Sequence, residues 1–159
     1  MLGITSELYL FSHDDVLKSI AAQGRESAET APQLRKPTIL VVDDQQLIAD
    51  TTTMVLNRSG FRAECAYSGR SALEMALNQK PDYLLTDIVM PGMNGVDLAV
   101  CVRNQLPATV IVLLSGQAGT TDLLRQARED GYEFNLLAKP IHPEKLLEYL
   151  KRKAPQHWK

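Results

Sequence analysis

Five side chains that could do chemistry stand directly behind short apolar segments of this sequence: Asp43, Asp44, Asp87, Ser115 and Lys139. Three of them are carboxylates, one is a hydroxyl and one is an ammonium. Carboxylates that share a site repel one another unless a hard cation lies between them, and Mg²⁺ binds oxygen ligands while it keeps several waters. A cation held by the three aspartates would therefore keep coordination positions open for phosphate oxygens.

Asp87 is the candidate nucleophile of this set, because a carboxylate can attack phosphorus and form an aspartyl phosphate. The transferring group spreads its charge over equatorial oxygens, which need a cation, a fixed positive side chain and a hydrogen-bond donor. A magnesium ion, Lys139 and Ser115 would supply these three needs. The set predicts phosphoryl transfer onto Asp87, provided that the fold brings its members together.

The elements that must position these side chains are predicted to be five strands that alternate with five helices. Apolar, largely β-branched runs predict the strands, which cover residues 39–42, 61–67, 83–87, 109–114 and 134–138. Apolar residues at helical spacing predict the helices, which begin near Leu47, Gly69, Gly95, Thr121 and Pro143. This alternation indicates an α/β fold with a parallel, doubly wound sheet and right-handed crossovers.

The five candidates stand at the ends of the first, third, fourth and fifth predicted strands, which face one crevice in such a sheet. Four of them also have an ordinary structural explanation. Asp44 could cap a helix, Asp87 and Ser115 could be turn residues, and Lys139 could be a solvated charge. Their occurrence together at four separate strand ends favours a functional site over these four independent explanations.

Composition places the chain among ordinary globular proteins. Its 159 residues are 45% hydrophobic and 23% charged, and the formal net charge of -2 provides no field that would attract nucleic acid or an anionic membrane. Cys65 and Cys101 are expected to be small, reduced core residues rather than a disulfide or metal ligands. No run reaches transmembrane length, and Glu7 and Asp14 interrupt the N-terminal apolar stretch, so we expect a cytoplasmic protein.

The chain is expected to divide into an N-terminal extension, residues 1–36, a main domain, residues 37–153, and a short tail, residues 154–159. Ser12 and Asp15 resemble a capping box at the start of a short helix. One apolar stripe of that helix consists of Val16, Leu17, Ile20 and Ala21. The helix could bind a partner or lie on the domain. The tail, as given, is not expected to form a second domain.

Four motifs together resemble the signature of response-regulator receiver domains of two-component signalling. The motifs are Val41-Val42-Asp43-Asp44, Thr86-Asp87-Ile88-Val89-Met90-Pro91-Gly92-Met93-Asn94-Gly95, Leu114-Ser115-Gly116 and Lys139-Pro140. The resemblance extends over about residues 37–153. It implies a flavodoxin-like (βα)5 fold with strand order 2-1-3-4-5, in a stand-alone receiver that catalyses only its own phosphoryl transfer and dephosphorylation.

The resemblance also implies a role for each site residue. Asp87 would accept the phosphoryl group from a sensor histidine kinase or a histidine phosphotransfer protein. Asp43, Asp44 and Asp87 would bind Mg²⁺, with the backbone carbonyl of Val89 as a further ligand. Ser115 would donate a hydrogen bond to the phosphoryl group and Lys139 would pair with its charge. The Lys139–Pro140 peptide bond would be cis.

One position departs from the family pattern. Receivers usually carry Tyr or Phe three residues before the lysine, as the rotamer partner of the serine or threonine, and here that position is Leu136. Phe134 and Tyr132 are nearby but are not expected to replace it. A phosphoryl group can shift a conformational equilibrium only by binding one state better than the other, so another element must carry the signal. The loop after Ser115 and the fourth helix are the expected carriers.

Other functions remain open beside phosphorylation-dependent signalling to an unknown downstream protein. The missing aromatic favours a phosphorylation-independent interaction module, which the complete set of site residues disfavours. An aspartate-nucleophile hydrolase would need a second acid two residues after Asp87, where Val89 stands. The basic residues 151–153 are expected to complement a helix dipole rather than to bind nucleic acid. The sequence leaves a homodimer open.

Overall fold

Five strands and five helices alternate along the residues that the computed structural model describes, which are 35–116 and 120–154. The strands are β1 (Thr38–Val42), β2 (Arg62–Ala66), β3 (Tyr83–Asp87), β4 (Val110–Ser115) and β5 (Asn135–Ala138). The helices are α1 (Gln46–Arg58), α2 (Gly69–Gln79), α3 (Gly95–Gln105), α4 (Thr121–Glu129) and α5 (Pro143–Arg152). The predicted alternation is therefore confirmed.

The strands form one parallel sheet in the order β2-β1-β3-β4-β5, as the resemblance implied. In the register, Asp87 at the end of β3 pairs with Leu114, and Ser115 at the end of β4 pairs with Ala138. The carboxyl ends of the strands consequently lie at one edge of the sheet. This edge is where a doubly wound sheet binds its ligands.

Apolar side chains fill both faces of the central strands, because residues that alternate along a strand point to opposite faces. Leu40, Leu84 and Ile111 belong to one core cluster, and Ile39 and Val112 belong to the other. Helices α2, α3 and α4 bury small and branched residues against the first cluster, namely Ala72, Ala76, Leu98, Val102 and Ala127. Helices α1 and α5 cover the second cluster with Leu56, Leu146 and Leu150. Each fully buried leucine contributes about 1.5–3 kcal/mol to folding, so the strands have little freedom to slide.

Several details differ from the sequence predictions. Strand β2 begins at Arg62, although the preceding Phe61 remains buried in the predicted core face and packs edge-on against Tyr83 with ring centroids 6.3 Å apart. Strand β5 begins at Asn135, one residue later than predicted. Cys65 and Cys101 are free but only half-buried. The expected N-terminal helix lies outside the described residues, so the extension and the domain boundaries remain predictions.

Helix α3 begins against the backbone of the candidate nucleophile. The side chain of Asn94 caps the helix by accepting hydrogen bonds from Val96 N and Asp97 N, each at 2.9 Å. The Gly95 amide donates to the carbonyl of Ile88 at 2.9 Å. A Cβ atom at Gly95 would overlap the carbonyl oxygen of Asp87. Glycine is therefore required sterically at this position, because any side chain would displace the backbone of Asp87.

We predict that Gly95→Ala lowers the free energy of unfolding by about 1–3 kcal/mol or more, because the added methyl group collides with rigid backbone. Chemical denaturation measures this loss. Gly116→Ala is the matched control, since among the described residues the nearest atoms to a Cβ there belong to the side chain of Lys139, at 3.7 Å. Equal unfolding midpoints for the two variants would contradict the assignment of Gly95 as a packing requirement.

Candidate functional site

Three carboxylates converge at the carboxyl edge of the sheet. One oxygen from each of Asp43, Asp44 and Asp87 lies within 4.8 Å of the others. Asp43 directly follows β1 and Asp87 ends β3, and these residues are only 2% and 8% exposed, whereas Asp44 is exposed. The neighbouring parallel strands β1 and β3 bring the two buried acids together, and the exposed acid leaves the cluster open to solvent.

Lys139 reaches this cluster from the edge of the sheet that β5 forms. It directly follows the edge strand β5, and its Nζ atom lies 2.8 Å from Asp43 Oδ2 and 3.4 Å from Asp87 Oδ2. Its backbone amide donates to the carbonyl of Ser115 at 2.7 Å, which ties the end of β5 to the end of β4. The Lys139–Pro140 bond is cis, as expected. One ammonium therefore contacts the acids that follow two different strands.

The second oxygen of each buried carboxylate is held by the backbone. Asp43 Oδ1 accepts a hydrogen bond from the amide of Gln45 at 2.9 Å, and Asp87 Oδ1 accepts one from the amide of Ile88 at 2.8 Å. Asp43, rather than Asp44, thus makes the turn contact before α1. The fixed amides orient both carboxylates, so that the Oδ2 atom of each faces the ammonium of Lys139.

The electrostatic environment shifts the pKa values of both partners in this ion pair. Burial raises the pKa of Asp87, the nearby charge of Asp43 raises it further, and Lys139 offsets only part of the rise. For Lys139, burial lowers the pKa, but the hydrogen bond to Asp43 and the two negative charges raise it by more. The lysine therefore stays protonated. With three carboxylates against one ammonium, the ionised cluster retains an excess of negative charge.

The oxygen donors fit a hard divalent cation. Mg²⁺ prefers carboxylates and waters, and the cluster offers two oriented carboxylates beside an exposed one. The excess negative charge gives such a cation an electrostatic reason to bind. Val89, the expected source of a backbone carbonyl ligand, lies in the loop after β3 with its side chain exposed.

Ser115 lies at the same edge, but its hydroxyl faces another residue. The Ser115 Oγ atom is 2.9 Å from Thr120 Oγ1, the side-chain oxygen of the residue that precedes α4. Thr120 stands at the N-cap position of α4, yet its side chain makes no capping hydrogen bond and is buried, 5% exposed. Thr120 is the residue that sequence reasoning left out of the site. A second hydroxyl five residues after Ser115 is visible in the sequence, but this spacing does not by itself predict the contact.

The aromatic side chains near the end of the chain do not take the place of the missing switch aromatic. Leu136, on the edge strand β5, is 44% exposed. Tyr132 and Phe134 stack on each other with ring centroids 6.1 Å apart, and Arg103 of α3 lies over the Phe134 ring. The Tyr132 hydroxyl donates to Asn104 of α3 at 3.0 Å. Both rings are therefore engaged with α3.

Comparison with known proteins agrees with this geometry. A family model described as the response regulator receiver domain matches residues 39–151. The chain belongs to the response-regulator receiver family. It is thus a signalling domain of the two-component type, and receiver domains of this kind generally bind Mg²⁺ in an acidic pocket.

Named relatives resemble this receiver over most of its described length. The probable transcriptional regulatory protein TcrX of Mycobacterium tuberculosis is 29% identical over 110 residues, covering 69% of this chain and 46% of that protein. The receiver therefore spans about half the length of this curated relative.

Within the described residues, no helix is long and apolar enough to cross a bilayer.

Two solved structures illustrate the shared fold. The chemotaxis protein CheY4 of Vibrio cholerae is 30% identical with a TM-score of 0.65, covering 74% of this chain and 98% of that chain. A CheY-like receiver domain protein from Methanospirillum hungatei is 28% identical with a TM-score of 0.68, covering 74% of this chain and 93% of that chain.

We predict that Lys139→Gln raises the pKa of Asp87 still further, because it removes the positive charge that now lowers it. Carboxyl-carbon NMR titration of the receiver in the presence of a chelator measures this shift. Lys151→Gln removes the same charge near the end of α5 and should leave the Asp87 titration unchanged. An unchanged or lowered pKa in Lys139→Gln would show that the ion pair does not control the acid.

Proposed function

We propose that this receiver accepts a phosphoryl group on Asp87 in a magnesium-dependent reaction and signals through altered protein contacts. The observation that carries the proposal is the bridge from Lys139 to Asp43 and Asp87, at 2.8 and 3.4 Å. An ammonium placed beside an oriented, buried carboxylate suits a reaction in which negative charge arrives on that carboxylate.

The proposed transfer proceeds by attack of a carboxylate oxygen of Asp87 on the phosphorus of a phosphorylated histidine. The new O–P bond forms as the P–N bond breaks, and the leaving imidazole takes its proton from solvent. The Ile88 amide keeps the nucleophile oriented, Lys139 pairs with the incoming charge, and Ser115 donates to a phosphoryl oxygen. Mg²⁺ held by Asp43, Asp44, Asp87 and the carbonyl of Val89 would offset the charge of the phosphoryl oxygens.

The proposed phosphodonor is a sensor histidine kinase or a histidine phosphotransfer protein. Its histidine must approach Asp87 from the open edge of the sheet. A groove of about 530 Å³ borders this edge and contains Leu47, Ile48, Gly116, Lys139 and Pro140 among its lining residues. Leu47 is exposed, so the groove presents apolar surface next to the charged cluster. A docked donor could bury that surface while it delivers the phosphoryl group.

A phosphorylation-independent interaction module is the second candidate function. The exposed Leu136 favours it, because the usual aromatic partner of the hydroxyl switch is absent there. The convergence of Asp43, Asp44, Asp87 and Lys139 disfavours it, since a domain that only binds partners has no need of a charged, partly buried cluster. The two candidates differ in whether Asp87 forms a covalent adduct.

We predict that the receiver, incubated with Mg²⁺ and a small phosphodonor, forms an acid-stable, base-labile adduct on Asp87. Mass spectrometry should find one added phosphoryl group, which Asp87→Asn abolishes. Asp97→Asn is the control, because Asp97 is an exposed acid in the first turn of α3. Absence of an adduct on the unmodified protein, with this donor and with a competent histidine kinase, would favour the interaction module.

We also predict that Asp44→Asn weakens Mg²⁺ binding by about tenfold or more, because it removes a ligand charge from the site. Thermal unfolding should change little, since Asp44 is exposed. Isothermal titration calorimetry measures the affinity, with Asp130→Asn as a control acid at the end of α4. Equal affinities in the two variants would exclude Asp44 as a ligand.

A further inference from the structure

Strand β2 lies at the edge of the sheet that is farthest from Lys139, and among the described residues it pairs with β1 alone. The amide of Arg62 donates to the backbone that leads into β1, at 2.8 Å, and the carbonyl of Ala66 accepts from the residue that follows β1, at 3.3 Å. Successive residues of a strand direct their backbone groups to opposite sides. The N–H and C=O groups of Ala63 and Cys65 therefore point outward from the sheet.

The side chain of Asn57 covers the outward backbone groups of Ala63. Its Nδ2 atom donates to the carbonyl of Ala63 at 3.0 Å, and its Oδ1 atom accepts from the amide of Ala63 at 2.9 Å. A side-chain amide has the same donor and acceptor as a peptide group. Asn57 therefore occupies the place that a further strand would take. It is an exposed residue in the last turn of α1, so its truncation removes no core packing.

Space for an added chain lies between α1 and this edge. A groove of about 480 Å³ there is lined by Asp50, Thr53, Met54, Asn57, Arg58 and Cys65. Met54 is 52% exposed, so the groove presents apolar surface beside the outward backbone. An edge strand with accessible backbone groups is a template for pairing with another chain. The structure thus combines such a template with a side chain that blocks part of it.

The same edge of a second copy is the occupant that matches this surface. In an antiparallel arrangement, Ala63 of each copy would lie opposite Cys65 of the other, and each such pair exchanges both of its N–H···O bonds. A twofold axis brings identical surfaces together, so one edge supplies both partners. This register uses every outward backbone group of β2, whereas a shifted register leaves some of them unpaired.

We propose that the outer edge of β2 is a contact surface for a second copy of this chain, and that Asn57 keeps this surface closed. An approaching strand must first displace the hydrogen bonds that Asn57 makes to Ala63 in each copy. Glu64 adds a second obstacle, because the two copies of this acid would lie opposite each other and like charges in that position are destabilising. The inference concerns association of the receiver and does not depend on chemistry at Asp87.

The test compares Asn57→Ala with the unmodified full-length receiver. In dilute solution, the amide of Ala63 should exchange its hydrogen about twofold to tenfold faster in the variant, which corresponds to the loss of one hydrogen bond. In sedimentation experiments, the average mass of the variant should rise more steeply with protein concentration. Asn104→Ala is the matched control, because Asn104 is an exposed helical asparagine that accepts a hydrogen bond from Tyr132. It should behave as the unmodified receiver does.

Hydrogen exchange at high protein concentration locates the contact. The amides of Ala63 and Cys65 should become protected as Asn57→Ala associates, because they would then donate to the second copy. Adding Glu64→Gln should strengthen the association by removing the like-charge contact. Thermal unfolding verifies that each variant is folded. If the alanine variant does not fold, Asn57→Asp serves, since it keeps the acceptor for the amide of Ala63 and loses the donor to its carbonyl.

Three results would overturn the inference. The first is an average mass that follows that of the unmodified receiver at every concentration, because removal of Asn57 would then open no contact surface. The second is association without protection of the Ala63 and Cys65 amides, which would place the contact elsewhere. The third is an equal rise in mass for Asn104→Ala, which would indicate a general effect of losing a surface hydrogen bond. None of these measurements involves phosphorylation, so they leave the proposed function to its own test.

Discussion

The ion pair of Lys139 with Asp43 and Asp87 is the interaction on which the rest of the site depends. Buried charges are costly unless they are paired and hydrogen-bonded, and here a single ammonium contacts two carboxylates that are almost inaccessible to solvent. The three residues follow strands β5, β1 and β3, so their distances hold only while the sheet keeps its order and register. The apolar core on both faces of the sheet is therefore needed to keep the charged residues at their observed distances.

The pairing of charges is also incomplete, because Asp44 adds a third carboxylate. This excess of negative charge is the physical reason for expecting a cation at the site.

Both side chains that are proposed to contact a phosphoryl group, Lys139 and Ser115, already have partners in the structure. Lys139 donates to Asp43 at 2.8 Å and lies farther, 3.4 Å, from Asp87, so a new negative charge on Asp87 would draw the ammonium toward it. Ser115 is bonded to Thr120. In the proposed phosphorylated state, the free energy released by new contacts with the phosphoryl group would be reduced by the cost of leaving the present partners. That difference, rather than the absolute strength of either contact, would set how strongly phosphorylation shifts a conformational equilibrium.

For identifiable reasons, sequence reasoning reached the fold and named residues that the structure brings together. The runs that became β1, β3 and β4 are continuously apolar because they are covered on both faces, and this pattern is visible in one dimension. Parallel strands then place Asp43, Asp87, Ser115 and Lys139 at one edge by topology alone.

The partner of Ser115 could not be predicted in this way. Hydroxyl pairing depends on rotamers and on the path of the chain after β4, and neither leaves a periodic pattern. The half-burial of Cys65 and Cys101 escaped prediction for a related reason, because local apolar context does not reveal which neighbours cover a side chain.

The engagement of Tyr132 and Phe134 with α3 limits how the receiver can transmit a signal. In the structure, the Tyr132 hydroxyl donates a hydrogen bond to Asn104 and Phe134 lies under Arg103, so rotating either ring would break its contact with α3. Rotation of either aromatic side chain would therefore cost free energy, because its contact with α3 would be lost. Leu136 is 44% exposed on the edge strand and carries no ring, so the proposed signal would have to leave the site through another element.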